Sequence, residues 1–509
     1  MCAKSTPSLG EEGMLEAILY GIASLADPII LGYLIVGIFI GIALGILPGL
    51  SGLTGLAILT PLVFGMEPTV AFALLMGMYG VSPTGGSVTA ILLNVPGEAP
   101  NAATILDGFP MTEQGHSGRA LGIAFTASAL GGLFGGLVLV ASIPVLQPIV
   151  MAFESPERFI FVLIGISFIA VLGTGSPIKG LIAGGLGFLL SFVGFQGMTG
   201  FTRYAFGFSY LYDGIGIVPV ALGLFAVPQA IDLMATGAAI TKVRHVAVTT
   251  RSDLLQGCKD VFDHWWLFLR SAIIGTVVGM IPGLGGTVAS WIAYGHAKQT
   301  SKHPEKFGTG YVEGVLAPES SNNAKEGGGL IPTLAFGIPG SGSMAILLGA
   351  FLILGIDPGP FFIRDHLNLV FALVTYLIAS NILGALILFL ASGQLARIAF
   401  VRGHIVGPLI LILVAIGAYS VERDVLDVFA ALIVGGLGYV MRILDYSRPA
   451  FFLGFILGLL AERYFHISLE AYGWLFFTQP ISLVLLVIAI LSFSFRRIVT
   501  LPKRKAGMP

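Results

Sequence analysis

Two apolar runs in this 509-residue chain are interrupted in the same way. Residues 41–52 read GIALGILPGLSG and residues 275–286 read GTVVGMIPGLGG, so G-x-x-x-G-x-x-P-G-L-x-G occurs twice, 234 positions apart. Proline lacks the backbone donor and crowds the preceding turn, while glycine readily takes left-handed angles, so a Pro-Gly pair ends a helix. In a bilayer the freed backbone groups are tolerated only where protein or a water-filled cavity satisfies them. Interrupted apolar segments at matching places in two halves point to the binding site of a transporter.

Composition agrees. Hydrophobic residues make up 56% of the chain and charged residues 10%, with mean hydropathy +0.94, against about 25% charged in soluble domains. Together with apolar runs of membrane length, this predicts an all-α polytopic membrane protein of about ten to twelve transmembrane helices, surrounded by lipid. Its 70 glycines suit close helix packing. The net charge of −1 offers nothing to nucleic acid. Cys2 and Cys258 are too few for a disulfide framework or a thiolate metal site. Residues 1–13 are polar and include Glu11 and Glu12, so no cleavable signal peptide is expected.

The chain divides into an N-terminal segment (1–27), a first membrane repeat (28–240), a cytoplasmic linker (241–263), a second membrane repeat (264–470), and a final helix with a basic tail (471–509). Residues 101–119 and the linker, with Lys242, Arg244, Arg251 and Lys259, read as polar loops. Three further matches support a duplication. Gly85-Gly86 and Pro96-Gly97 recur as Gly328-Gly329 and Pro339-Gly340; residues 184–188 recur as 435–439; residues 202–206 recur as 447–451. Basic residues favour the cytoplasmic side. Placing the linker and tail there puts Lys179, Arg397, Arg402, Arg442 and Arg448 inside, and Arg203, the Glu154–Glu157 turn and the Glu422–Asp427 turn outside. Matched spans then run in opposite directions, as inverted repeats do, and Pro48-Gly49 and Pro282-Gly283 approach the bilayer middle from opposite faces.

Four stretches are expected to be interrupted and to hold the chemistry: 48–55, 84–98, 282–287 and 319–343. Their candidate residues are Pro48, Gly49, Ser51, Thr54, Thr84, Ser87, Thr89, Asn94, Pro96, Gly97, Pro282, Gly283, Thr287, Ser320, Ser321, Asn322, Asn323, Lys325, Thr333, Pro339, Gly340, Ser341 and Ser343. Free N–H groups at half-helix N-termini attract carboxylates, and unwound carbonyls or Asn and Ser oxygens replace the hydration shell of a cation. Lys325 is the basic residue within these stretches and would pair with a carboxylate. Asp107, followed by Gly108 and Pro110, reads as a turn residue, and Arg203 and Arg448 as interfacial anchors. No H-E-x-x-H, G-x-S-x-G or Walker-type loop occurs, no pair of acids is expected within one span, and the eight histidines show no metal spacing. No enzyme activity or cofactor is expected.

The strings LPGLSG (47–52), GGSVTAILLNVPGEAPNAATILDGFP (85–110), IPGLGG (281–286) and APESSNNAKEGGGLIPTLAFGIPGSGSMA (317–345) resemble the TctA family, the large membrane subunit of tripartite tricarboxylate transporters. The resemblance covers roughly residues 28–470. It implies a multi-pass permease of the bacterial inner membrane, driven by a Na+ or H+ gradient; the basic tail puts the C-terminus on the cytoplasmic side. It also implies a small four-helix membrane subunit (TctB-like), a periplasmic solute-binding protein (TctC-like) and a carboxylate substrate. One departure is visible: FQGMTG (195–200) has Gln196 where an acidic residue is expected, which bears on the coupling ion. A stand-alone carrier or channel for small anions is the alternative reading.

Overall fold

The computed structural model describes residues 11–47, 49–172, 176–197, 200–236, 251–282, 284–395 and 403–487. The linker up to residue 250, Arg397, Arg402, the basic tail, and the candidates Pro48 and Gly283 lie outside them. The first half comprises α1 (Glu11–Ser24), α2 (Pro28–Ile46), α3 (Gly52–Leu59), α4 (Pro68–Leu93), α5 (Ala102–Glu113), α6 (Ser117–Met151), α7 (Ser155–Leu172), α8 (Pro177–Leu190), α9 (Ile217–Ala221) and α10 (Val227–Thr236). A π-helical turn, Leu222–Ala226, joins the last two, and the two-residue strands Gly194–Phe195 (β1) and Thr202–Arg203 (β2) pair antiparallel. The second half comprises α11 (Arg251–Asp263), α12 (Trp265–Met280), α13 (Gly285–Thr300), α14 (Val312–Phe336), α15 (Gly342–Ile353), α16 (Pro360–Asp365), α17 (Leu367–Leu395), α18 (Gly403–Glu422), α19 (Val425–Ile443) and α20 (Arg448–Tyr472).

The protein is an all-α polytopic membrane protein. Among the described residues, seven helices are long and apolar enough to cross a bilayer, or eight if the α11–α12 pair, bent by 78°, is one span. The sequence reading of about ten to twelve also counted short apolar helices such as Ile178–Leu190 and Gly342–Ile353.

The first break behaves as its residues require. Asp27 caps α2 by accepting from the Ile29 N–H, with Pro28 in the first turn. The helix stops at Leu47, which is extended; Gly49 has φ +89°, and Ser51 caps α3 through the Thr54 N–H. In the second half α12 stops at Ile281, also extended, and α13 begins at Gly285 with φ +64°.

Two stretches expected to be interrupted are helical over most of their length. Helix α4 continues through Pro83 and Gly85-Gly86 as far as Leu93, ending in left-handed Asn94 (φ 56°). Helix α14 continues through Pro318, Asn322-Asn323, Gly327–Gly329 and Pro332 as far as Phe336, ending in left-handed Gly337 (φ 67°). Around Pro83, side-chain amides from outside the helix donate to backbone carbonyls: Asn101 Nδ2 to that of Pro83, and Asn323 Nδ2 to that of Gly80, next to the Tyr79 carbonyl that the proline leaves without its helical donor.

Two segments read as loops are also helical. Glu98 and Asn101 form a capping box that leads into α5. Helix α11 buries Leu254, Gly257, Asp260 and Val261, an i, i+3, i+6, i+7 stripe, and Arg119 holds Asp260 at 2.5 and 2.9 Å.

Glycine sets the helix spacing. A methyl group on Gly37, Gly41 or Gly45 of α2 would overlap the carbonyl oxygen of Leu74, Met78 or Ser82 of α4. One on Gly275 or Gly279 of α12 would overlap that of Ser321 or Lys325 of α14. Each half also packs into the other. Helix α6 lies against α14, α17 against α4, α8 against α20, and α19 against the π-helical turn. Backbones can approach this closely because the facing residues lack side chains.

Candidate functional site

Helices α4 and α14 meet through polar groups. Lys325 Nζ lies 3.0 Å from the Tyr79 hydroxyl and 3.5 Å from Glu326 Oε1. Asn323 Nδ2 donates to Thr84 Oγ1 at 3.0 Å and to Asn381 Oδ1 of α17 at 2.7 Å. All of these groups are buried. Ionisable side chains this deep in a membrane protein are costly and mark transport pathways.

Around this crossing the two halves repeat one contact. Gly97 packs on Gly45 and Gly86, and Gly340 packs on Gly279 and Gly329, each glycine at the matched position of the other set. A side chain at any of these points would meet backbone, which accounts for the duplicated glycines. The residues that follow differ. Glu98 turns its carboxylate onto the start of α3, accepting from the Gly52 N–H at 2.7 Å and from the Ser82 hydroxyl. Ser341, at the matched position, instead caps α15 by accepting from the Met344 N–H at 3.3 Å. Helix α13 has no side-chain cap at its N-terminus. A Cβ placed on Gly286 would lie 2.9 Å from Lys325 Cε, 2.9 Å from Pro100 Cγ and 3.0 Å from Asn322 Oδ1.

A second buried carboxylate lies nearby. Glu319 accepts from Thr104 (2.5 Å), Asn101 (3.3 Å) and Ser128 (3.1 Å), none of them a cation. Asn101 ties this cluster to the first-half break, since its Oδ1 accepts from the Glu98 N–H.

The predicted residues separate into groups. The hydroxyls of Ser87, Thr89, Ser320 and Thr333 bond to carbonyls of their own helices, three or four residues back. Thr54 is buried in α3, while Ser51 and Ser341 are helix caps. Pro96, Pro282, Thr287 and Ser343 are half-buried, Asn94 is exposed, and Pro339 is buried. Gly49 faces the Gln229 amide, and Gly97 and Gly340 serve packing. Asp107 is not a turn residue: buried in α5, it accepts from the Gly308, Gly310 and Tyr311 N–H groups and from the Tyr294 hydroxyl. The Ser321 hydroxyl, both amide atoms of Asn322, Asn323 Oδ1 and Glu326 Oε2 are buried without a hydrogen-bond partner among the described residues. Buried polar atoms are almost always paired, so this cluster on α14 is suited to meeting a ligand.

The structure adds Tyr79, Glu98, Glu319 and Glu326 to the candidates. Contrary to the sequence reading, three acids share one long helix, Glu313, Glu319 and Glu326 of α14, the last two of them fully buried. Their signal was available in the rarity of charge within membrane-length segments. Arg203 is more than an anchor, since it pairs with Glu462 of α20 through two bonds of 2.7 and 2.8 Å. Gln196, where an acid was expected, donates to the same Glu462 at 2.8 Å, so α20 supplies the acid there.

An open groove of about 790 Å³ lies apart from the crossing, lined by Glu154, Arg158, Asp357, Asp365, His366 and Arg463 among others.

Comparison with known proteins is consistent with this architecture. The model of the Tripartite tricarboxylate transporter TctA family matches residues 31–453. An uncharacterized 52.8 kDa protein in the TAR-I ttuC' 3' region of Agrobacterium vitis is 33% identical over 484 residues, 94% of this chain and 95% of its own length. An uncharacterized protein in the TAR-II ttuC' 3' region of the same organism is 34% identical over 215 residues, 42% of this chain and 89% of its own length. No solved structure matches.

Proposed function

Because the chain belongs to the TctA family of tripartite tricarboxylate transporters, we propose that it is the large transmembrane subunit of a binding-protein-dependent secondary transporter. Its cargo is a di- or tricarboxylate or a related organic anion, taken up across a bacterial inner membrane at the expense of a Na+ or H+ gradient. The observation that carries this reading is Lys325, a buried ammonium beside the unpartnered amide of Asn322 where the two halves cross. Such a pair suits an anion that must shed water to cross the membrane.

Inverted repeats make the crossing a site that opens alternately to either face. Several contacts support that arrangement by joining groups which the charge pattern assigns to one side. Lys179 at the start of α8 donates to the Leu444 carbonyl after α19, Arg442 pairs with Asp232, Tyr472 donates to Glu154, and Tyr210 donates to Asp427. The groove beside Glu154 then opens outward, where a TctC-like binding protein would deliver cargo. A TctB-like four-helix subunit completes the assembly. Glu319, buried and held by neutral donors, is the group we assign to the coupling ion.

Proteoliposomes holding this chain, the small subunit and the binding protein, assayed with radiolabelled citrate, test the proposal. Uptake should need both the binding protein and an imposed Na+ or H+ gradient. Gradient-driven uptake without the binding protein would replace it with a stand-alone carrier. Absence of carboxylate uptake under every gradient would refute the transporter reading.

A further inference from the structure

We propose that a carboxylate of the cargo sits at the N-terminus of α13, and that Glu98 fills the matching seat in the first half with the protein's own carboxylate. The inference rests on the transporter reading above and specifies its ligand seat. In the first half, α3 begins at Gly52, whose N–H donates to Glu98 Oε1, and Ser82 donates to the same oxygen. The repeat carries Gly52 to Gly286, Ser82 to Lys325 and Glu98 to Ser341. The second half therefore keeps the broken helix but replaces the acid with a short hydroxyl, which is committed to α15. It also replaces the neutral donor Ser82 with a cation.

The result is a seat with the opposite requirement. The first-turn N–H groups of α13 lack intrahelical partners by geometry and have no side-chain cap. They present the positive end of the helix. Lys325 Cε and Asn322 Oδ1 both lie close to Gly286. Asn322 is 1% exposed, and its Nδ2 and Oδ1 are both without a partner among the described residues, so the amide can present a donor to an anion. A carboxylate oxygen here meets backbone N–H, ammonium and amide, the set that Glu98 meets in part at α3. Glu326, 3.5 Å from Lys325, shares the ammonium and balances its charge while the seat is empty. Gly286 also lets these groups come close to the start of the helix, since a side chain there would press on Lys325, Asn322 and the rigid ring of Pro100.

The test is equilibrium binding of radiolabelled citrate to the purified full-length protein. Ser341→Glu should place a tethered carboxylate in the seat and weaken citrate binding at least about tenfold, as expected for competition with a charge-assisted hydrogen bond. Ser341→Gln, of equal size but without the charge, should weaken citrate binding clearly less. Both variants lose the α15 cap, so a difference between them reports charge. Asn322→Asp, which puts a negative charge against the cargo, should weaken binding by a similar factor. Unchanged citrate affinity in Ser341→Glu and Asn322→Asp would overturn the assignment. So would a parent chain that binds no citrate although the assembled three-protein system takes it up; in that outcome the transporter reading stands and the seat falls.

Discussion

Lys325 Nζ of α14 lies 3.0 Å from the Tyr79 hydroxyl of α4, and this contact joins the two halves of the chain at a buried polar crossing. Its neighbour Glu326 supplies the countercharge at 3.5 Å. A buried ion pair is weak evidence for stability, because desolvation offsets the attraction, but breaking one partner leaves an uncompensated charge.

Lys325→Met should therefore destabilise the protein by about 3–5 kcal/mol. The double variant Lys325→Met with Glu326→Gln should recover most of that loss, since no lone charge remains. Uptake should fail in both. Thermal unfolding in detergent and citrate uptake in proteoliposomes separate the two effects; full uptake by the double variant would remove Lys325 from the transport path.

Gly45→Ala and Gly279→Ala place methyl groups against the carbonyl oxygens of Ser82 and Lys325. Each should cost about 1–3 kcal/mol by forcing the helices apart. Gly32→Ala, on the same helix as Gly45 but with nothing near its added carbon, is the control and should be neutral or slightly stabilising. Thermal midpoints of the three variants decide the matter.

Asp107→Ala removes the acceptor for three backbone N–H groups and the Tyr294 hydroxyl, tying α5 to the segment before α14. Each unpaired buried donor costs about 1–3 kcal/mol. Little folded protein should survive detergent extraction, as read by size-exclusion chromatography, whereas Asp107→Asn should retain part of the network and an intermediate yield.

Glu319→Gln keeps the shape of the side chain and removes its capacity for charge. If Glu319 carries the coupling ion, the variant should reach the membrane at normal levels and lose gradient-driven uptake by about tenfold or more, the loss expected for one charge-dependent interaction. Citrate exchange without a gradient should persist. Loss of exchange together with uptake would instead make Glu319 part of the cargo site.

Much of the architecture was legible beforehand. Pro-Gly pairs are expected to interrupt apolar runs for a local reason, the missing donor and the freedom of glycine, and the helices do stop at Leu47 and Ile281. The cap at Asp27 and the apolar length of α2 are equally local. What misled was treating Gly85-Gly86 and Gly327–Gly329 as unwound segments. Glycine in a water-exposed helix weakens it, but here it admits a neighbouring backbone, and close packing keeps the helix intact. Asp107 likewise looked like a turn because its partners, Gly308 to Tyr311, lie some two hundred residues away.

The candidate site divides along the same line. Asn322, Asn323 and Lys325 were conspicuous as polar residues in an apolar chain. Tyr79, Glu98, Glu319 and Glu326 were passed over, although charge in such surroundings is itself a signal. Which of the small polar residues are satisfied by their own helix, as Ser87 and Thr333 are, depends on rotamers and neighbours.

By itself, then, the sequence determined a membrane-embedded helical chain with two copies of one broken element, because hydrophobic length and Pro-Gly chemistry act within a few residues. The tertiary structure decided the pairing: α4 with α14 at Tyr79 and Lys325, Glu98 on α3, and α13 without a side-chain cap. Those outcomes depend on which backbones glycine lets approach, a property of two helices together and of neither alone.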